Sequence, residues 1–334
     1  MRGIVAAVLA LVVGVSCGPS ASTTPARKYR VGMVHWAAYS PLNVAAAQGF
    51  WKEQGIEVEV VNYVDNAILN SDLQSRKIDM ALDMVGSWVD LYMQGTPLTV
   101  LGETDWSNGG DKIILKNSVT DLNSLKGQKI GVYLKLLSVE FFLGRYLAEN
   151  NLKFTDFEVV QASGPTALAD DFIAGKYNII VNYDPEAVRS VTAGNGKVVK
   201  TSRDFAGVIP EGFVARTDQL RGIPEADLVK FFKGWIKSVK WTKDSANKVA
   251  WYEILRTKTF EGEGPFTDAD LTEFVSNVSV HDQATQLDRN KTEGGLTQYL
   301  KDSNTFAQDN KLFTRSYSPA DVFDNTAIVK ALSQ

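Results

Sequence analysis

The chain has 334 residues, 44% of them hydrophobic, with a formal net charge of −4, one cysteine and two histidines. That length is enough for one large core and suits two lobes. The acidic balance and dispersed Lys and Arg exclude a basic nucleic-acid surface, and a lone Cys excludes a disulfide framework.

At the start, Arg2 precedes an uninterrupted apolar run from Ile4 to Val15. The run is too short for a bilayer span of about 20 residues but suits the apolar core of an export signal. Gly14 and Ser16 lead to Cys17, a small-residue approach similar to a bacterial lipobox, with Gly14 where Leu is usual. The expectation is a lipoprotein signal peptide over 1–17 and a lipidated Cys17. The mature protein would then be extracytoplasmic and anchored to a membrane without spanning it. Gly14 to Gly18 also fits G-x-S-x-G, but in a segment to be processed, not on a strand-to-helix elbow. Residues 18–28 (GPSASTTPARK) are small and polar and read as a flexible tether.

From Tyr29 the pattern alternates strand and helix. Arg30 to His35 reads as a strand. Ser40 fits a helix N-cap and Pro41 the first helical position, with Gly49 as the stop and a further turn from Phe50 to Gln54. Ile56 to Val60 alternates as a half-exposed strand. A helix near Ala67 to Ser75, a strand Ile78 to Asp83, a helix capped by Ser87 and a strand Leu98 to Gly102 complete the first unit.

The second unit opens near Lys116. It has a strand Lys129 to Tyr133, then a helix capped by Ser138 in which Val139, Phe142, Leu143, Tyr146 and Leu147 form one stripe. Strands Phe157 to Ala162, Tyr177 to Tyr183 and Lys197 to Lys200 follow, separated by helices Thr166 to Ala174 and Pro185 to Thr192. Gly212 to Arg216 reads as a strand returning to the first unit. The remainder is helical: Pro224 to Lys243, Ser245 to Lys258, a helix opened by Thr267 with Asp270 in a capping box, and one opened by Ser318-Pro319. Trp51, Trp235, Trp241 and Trp251 sit on helical stripes and read as core.

The stretch from Trp36, Tyr39, Ser40 and Pro41 to Gly49-Phe50-Trp51-Lys52 and Gly55-Ile56-Glu57-Val58-Glu59 resembles the opening of a known family of solute-binding proteins. These are the ABC-transporter periplasmic solute-binding proteins of the nitrate/sulfonate/taurine (SsuA/TauA-like) and thiamine-precursor (NMT1/THI5-like) group. The blocks TDWSNGGDKIILKNS, LKGQKIGVY and VNYDPEA are similar to that family's in the same order. The resemblance implies an α/β, type II periplasmic-binding-protein fold: two doubly wound lobes joined by a hinge. Lobe 1 would be 29–114 plus 213–334 and lobe 2 115–212. A small molecule would be bound between the lobes by a monomer and handed to an ABC permease, with no cofactor.

In open α/β sheets ligands sit beyond the carboxyl ends of strands, where helix N-termini converge. That rule selects Trp36, Tyr39 and Ser40; Gly86 and Ser87; Asp105, Trp106 and Ser107; Leu137 and Ser138; and Tyr183, Asp184 and Glu186. Lys135-Leu136-Leu137-Ser138 departs from the small Gly/Ser-rich entry usual in the family. With aromatics beside carboxylates and no Arg in these loops, the expected ligand is a small nitrogen-containing organic solute. A thiamine-precursor-like pyrimidine or an amine-bearing sulfonate such as taurine would fit. Catalysis has no supporting motif: His35 and His281 lack a nucleophile pattern, Ser245 to Lys248 fits only part of S-x-x-K, and no metal or phosphate motif is present. Two alternatives stay open, a THI5-like pyrimidine-forming enzyme and a surface lipoprotein that binds another protein.

Overall fold

Strand alternation builds two mixed sheets in the computed structural model, which describes residues 27–333. Cys17, the expected signal and the tether to residue 26 lie outside the described residues. Lys28, expected in the tether, already belongs to the first strand and pairs with Glu57.

The first sheet has the order β11-β4-β10-β3-β1-β2. Its strands are β1 (Lys28–Val34), β2 (Glu57–Tyr63), β3 (Met80–Met84), β4 (Leu98–Ser107), β10 (Pro210–Arg216) and β11 (Val278–Val280). The second has the order β7-β6-β8-β5-β9. It is formed by β5 (Asp111–Lys116), β6 (Lys129–Val132), β7 (Glu158–Gln161), β8 (Ile179–Tyr183) and β9 (Gly196–Thr201). β1 lies parallel to β2 and β3, and β6 parallel to β7 and β8. β10 runs antiparallel between β3 and β4, which is how the returning chain closes the first sheet.

The chain therefore passes between sheets at 108–110 and again at 202–209. The first passage comes earlier than the expected boundary near 114, because β5 is wholly in the second sheet. β5 was not expected as a strand. Its Ile113-Ile114-Leu115 run is buried between β8 and β9, so it does not alternate.

Period-two alternation sorts side chains between two cores. Met80, Leu82, Leu101, Phe213 and Ala215 face one cluster, in which Trp51 stacks on Phe231 at 5.5 Å and Trp235 is buried. Trp241 and Trp251 pack against its edge, as their helical stripes predicted. Ala81, Val100 and Val214 face the other cluster. That second cluster is continuous through helix Val85–Met93, helix Leu137–Glu149 and the second sheet. Helix Gly295–Asp309 follows from the first sheet's side yet lays Tyr299 and Phe306 against Phe141. Among the described residues no helix is long and apolar enough to cross a membrane.

Candidate functional site

The carboxyl ends of β1, β3, β6, β7 and β8 converge where the two sheets face each other, and two adjoining chambers lie there. The first, about 320 Å³, is lined from one side by Trp36, Tyr39, Asn66, Asp83 and Glu211. Asp111, Tyr133, Leu134, the segment Gln161 to Pro165 and Tyr183 line it from the other. The second, about 340 Å³, shares His35, Trp36, Pro165 and Tyr183 with it and adds Asp184, Glu186, Glu263, Phe260, Phe266 and Phe274.

The first chamber is acidic and aromatic. Asp83 ends an apolar strand, is 2% exposed, and accepts from Asn66 Nδ2 at 2.7 Å. Burial pushes its carboxyl up to about 6. Tyr133 donates its hydroxyl to Asp111 Oδ1 at 2.5 Å, and burial raises the acid here too. Glu211 stands opposite Asp105 across the β10–β4 ladder. Burial, then the Asp105 charge, holds Glu211 well above the carboxylate range, so it is the neutral, proton-sharing member of the pair. Trp36 and Tyr183 meet edge-on at 6.2 Å, and Tyr183 packs on Tyr133 at 4.9 Å. No Lys or Arg lines this chamber. Among the described residues no group of three or more His, Cys, Asp or Glu is arranged to hold a metal.

These buried acids make stability depend on pH. Burial lifts Asp83 to about 6, and lifts Asp90 and Glu140, where helices Val85–Met93 and Leu137–Glu149 meet, to about 7. The native state thus holds protons that the unfolded chain has released, so stability falls as pH rises from about 4 to about 7. The unliganded protein is expected to melt higher at about pH 5.5 than at about pH 8. A thermal scan across that range giving equal or reversed midpoints would reject the assignment.

Of the residues selected from sequence, Trp36, Tyr39 and Tyr183 line the first chamber, while Asp184 and Glu186 line only the second. The other selected residues line neither. Ser40 is inside its helix and fully buried. Its N–H is used by Ala37 O, and its Oγ accepts from Trp251 Nε1 at 3.0 Å. Ser87 and Ser138 are likewise within the first helical turn, not caps. Gly86 N donates to Ser138 Oγ at 3.0 Å, and Leu137 N to Asp90 Oδ2 at 2.9 Å, so these residues join the two units behind the chambers. Asp105, Trp106 and Ser107 are not in a loop, because β4 continues through them. Asp105 backs Glu211, Trp106 packs on His281 at 4.6 Å, and Ser107 Oγ meets Ser202 Oγ at 2.8 Å. Asp184 does not cap the following helix but pairs with Lys112.

Asp83, Asp111, Glu211 and Tyr133 were missed. Asp83 had a legible signal, a carboxylate ending the apolar strand Met80–Met84. Asp111 and Glu211 had none, because each sits at the start of a strand whose neighbours come from distant sequence.

Residues 36–206, just over half the chain, match the family described as NMT1/THI5 like. YtlA of Bacillus subtilis (strain 168), a provisionally named binding protein, is 26% identical over 252 residues, 72% of each chain. The alkanesulfonate-binding protein SsuA of Xanthomonas axonopodis pv. citri, bound to MOPS, superposes with a TM-score of 0.68 at 14% identity. That match covers 90% of this chain and 99% of that one. The periplasmic nitrate-binding protein NrtA of Synechocystis PCC 6803 gives 0.66 at 16% identity, covering 92% and 89%. At these identities the likeness is one of fold, and it matches the two-lobed α/β periplasmic-binding architecture that the sequence implied.

Proposed function

This chain belongs to the NMT1/THI5-like family, and from that premise we propose that it is the extracytoplasmic solute-binding component of an ABC-type importer. In this reading the two units are lobes, roughly 29–107 with 210–334 and 108–209, that close on a ligand. A lipid on Cys17 would hold the monomer at the membrane for its permease.

The ligand is a small nitrogen-containing organic solute that presents a cationic nitrogen. A thiamine-precursor-like aminopyrimidine fits best, and an amine-bearing sulfonate such as taurine is the second candidate. One observation carries this: the first chamber offers Asp83, Asp111 and Glu211 among aromatic faces and no Lys or Arg. Relatives named for sulfonate and nitrate take anions, and an anion has no Lys or Arg partner on these walls. Protonated ring nitrogens and amino groups instead meet acceptors below and π faces beside them. Binding rather than turnover is supported by the relatives, which are named as binding proteins.

Thermal stabilisation by a panel of aminopyrimidines, taurine, nitrate and sulfate tests the reading. A ligand at a hundred times its Kd adds about 2.7 kcal/mol. Stabilisation by inorganic anions alone would overturn it.

Trp36→Ala is expected to weaken an aminopyrimidine by about tenfold, the loss of one aromatic face on a cation. The variant should be less stable but still folded, because the indole packs on Tyr183 and the edge of the first core without a hydrogen bond to lose. Calorimetry showing unchanged affinity would remove Trp36 from the site.

A further inference from the structure

The two chambers differ in charge, and that difference bears on the shape of the ligand. In the second chamber two of the three carboxylates already have a cation, and the third bonds the His35 ring. Asp184 pairs with Lys112, Glu186 with Arg189 at 2.6 Å, and Glu263 with His35 at 2.6 Å. Beside Thr166 and Asn277 its wall is apolar: Phe260, Phe266 and Phe274 pack on one another with centroids 5.2–5.6 Å apart. In the first chamber, among the described residues, neither Asp83, Asp111 nor Glu211 has a Lys, Arg or His within ion-pair distance. The first chamber offers acids with no Lys or Arg beside them, and the second has a large apolar wall and carboxylates that are already partnered.

Trp36 divides them. The indole is wedged against Gly110, where an added Cβ would lie 2.9 Å from Cη2. Its Nε1 is buried without an acceptor. A buried N–H left without a partner costs about 1–3 kcal/mol, so this donor points to an acceptor supplied from outside the protein. The ring is a partition between two spaces, each large enough for one ring with substituents.

We infer that the ligand has two parts: a cationic nitrogen head in the first chamber and an uncharged aromatic or apolar tail in the second, joined by a short linker whose acceptor atom takes the Trp36 N–H. This rests on the cationic reading of the first chamber and extends it.

Three probes separate the two claims: (4-aminopyrimidin-5-yl)methylammonium as head alone, its N-(2-phenoxyethyl) derivative as head with tail, and 2-phenoxyethanol as tail alone. Affinities are measured by calorimetry on the full chain and on Thr166→Phe and Phe274→Gln, which narrow the second chamber or make its wall polar. The tailed probe is expected to bind about tenfold tighter than the head, as burial of one aromatic ring allows. Both variants should remove that gain while the head's affinity stays within about twofold. Equal affinity of head and tailed probe, or a gain that neither variant reduces, would overturn the two-part ligand and leave the cationic head standing. Binding of phenoxyethanol without the pyrimidine would overturn the cationic head and support the apolar chamber. If none of the three binds, both readings fall.

Discussion

Asp83→Asn is expected to cut affinity for a protonated aminopyrimidine by about tenfold to a hundredfold while making the unliganded protein more stable. The carboxylate is buried, hydrogen-bonded by Asn66, and raised to about 6 by burial. At neutral pH it is mostly ionised, the form that attracts a cation. Losing a charged acceptor costs about 1.5–3 kcal/mol of binding. The same ionisation is a burden without ligand. A raised carboxyl makes the native state weaker as pH climbs through its folded value of about 6, here by on the order of 3 kcal/mol. Asparagine removes that term and keeps an oxygen for the Asn66 amide. Affinity of the parent protein for (4-aminopyrimidin-5-yl)methylammonium, whose ammonium keeps its proton over this range, should rise with pH through about 6, and the variant should lack the part of that rise due to Asp83. Titration calorimetry at several pH values, paired with melting curves, checks both arms. Retained affinity, or a weaker fold at about pH 8, would remove Asp83 from the role of charged acceptor.

Gly86→Val is expected to lower stability by about 2–3 kcal/mol or to drive the two units apart. An added Cβ at Gly86 would lie 2.4 Å from Ser138 N and 2.3 Å from its Oγ, which already bonds Tyr299 Oη at 2.8 Å. The obstruction includes backbone, so no rotamer relieves it. Gly222→Ala is the control. Its nearest neighbour is 3.4 Å away, and its effect should stay within about 0.5 kcal/mol. Urea midpoints measure the first outcome and small-angle scattering the second. A Gly86 variant with the parent's midpoint and dimensions would show that this contact does not hold the units together.

Much of the fold was legible because its causes are local. The strand that begins beside Ile56, the stripe from Val139 to Leu147, the capping box at Thr267 and the helix opened by Ser318-Pro319 each depend on residues a few positions apart, and each formed where expected. The site was legible only in part, and for the same reason. Trp36, Tyr39 and Tyr183 follow from the rule that ligands sit beyond strand ends. The serines at 40, 87 and 138 looked like caps, yet two of them give their hydroxyls to partners from other elements. Trp251 is 211 residues from Ser40, and Tyr299 is 161 from Ser138.

The sequence alone determined the α/β class, the two units, the family and the aromatic half of the cleft. Tertiary structure alone decided which carboxylates line the first chamber. Asp105, Asp184 and Glu186 are chemically equivalent to Asp83, Asp111 and Glu211 in the chain. In the folded protein, Lys112 and Arg189 neutralise Asp184 and Glu186, and Glu211 covers Asp105. An acid's charge and availability are set by burial and by the cation beside it. Strand pairing across the chain fixes both, so nearest neighbours in sequence carry no record of them.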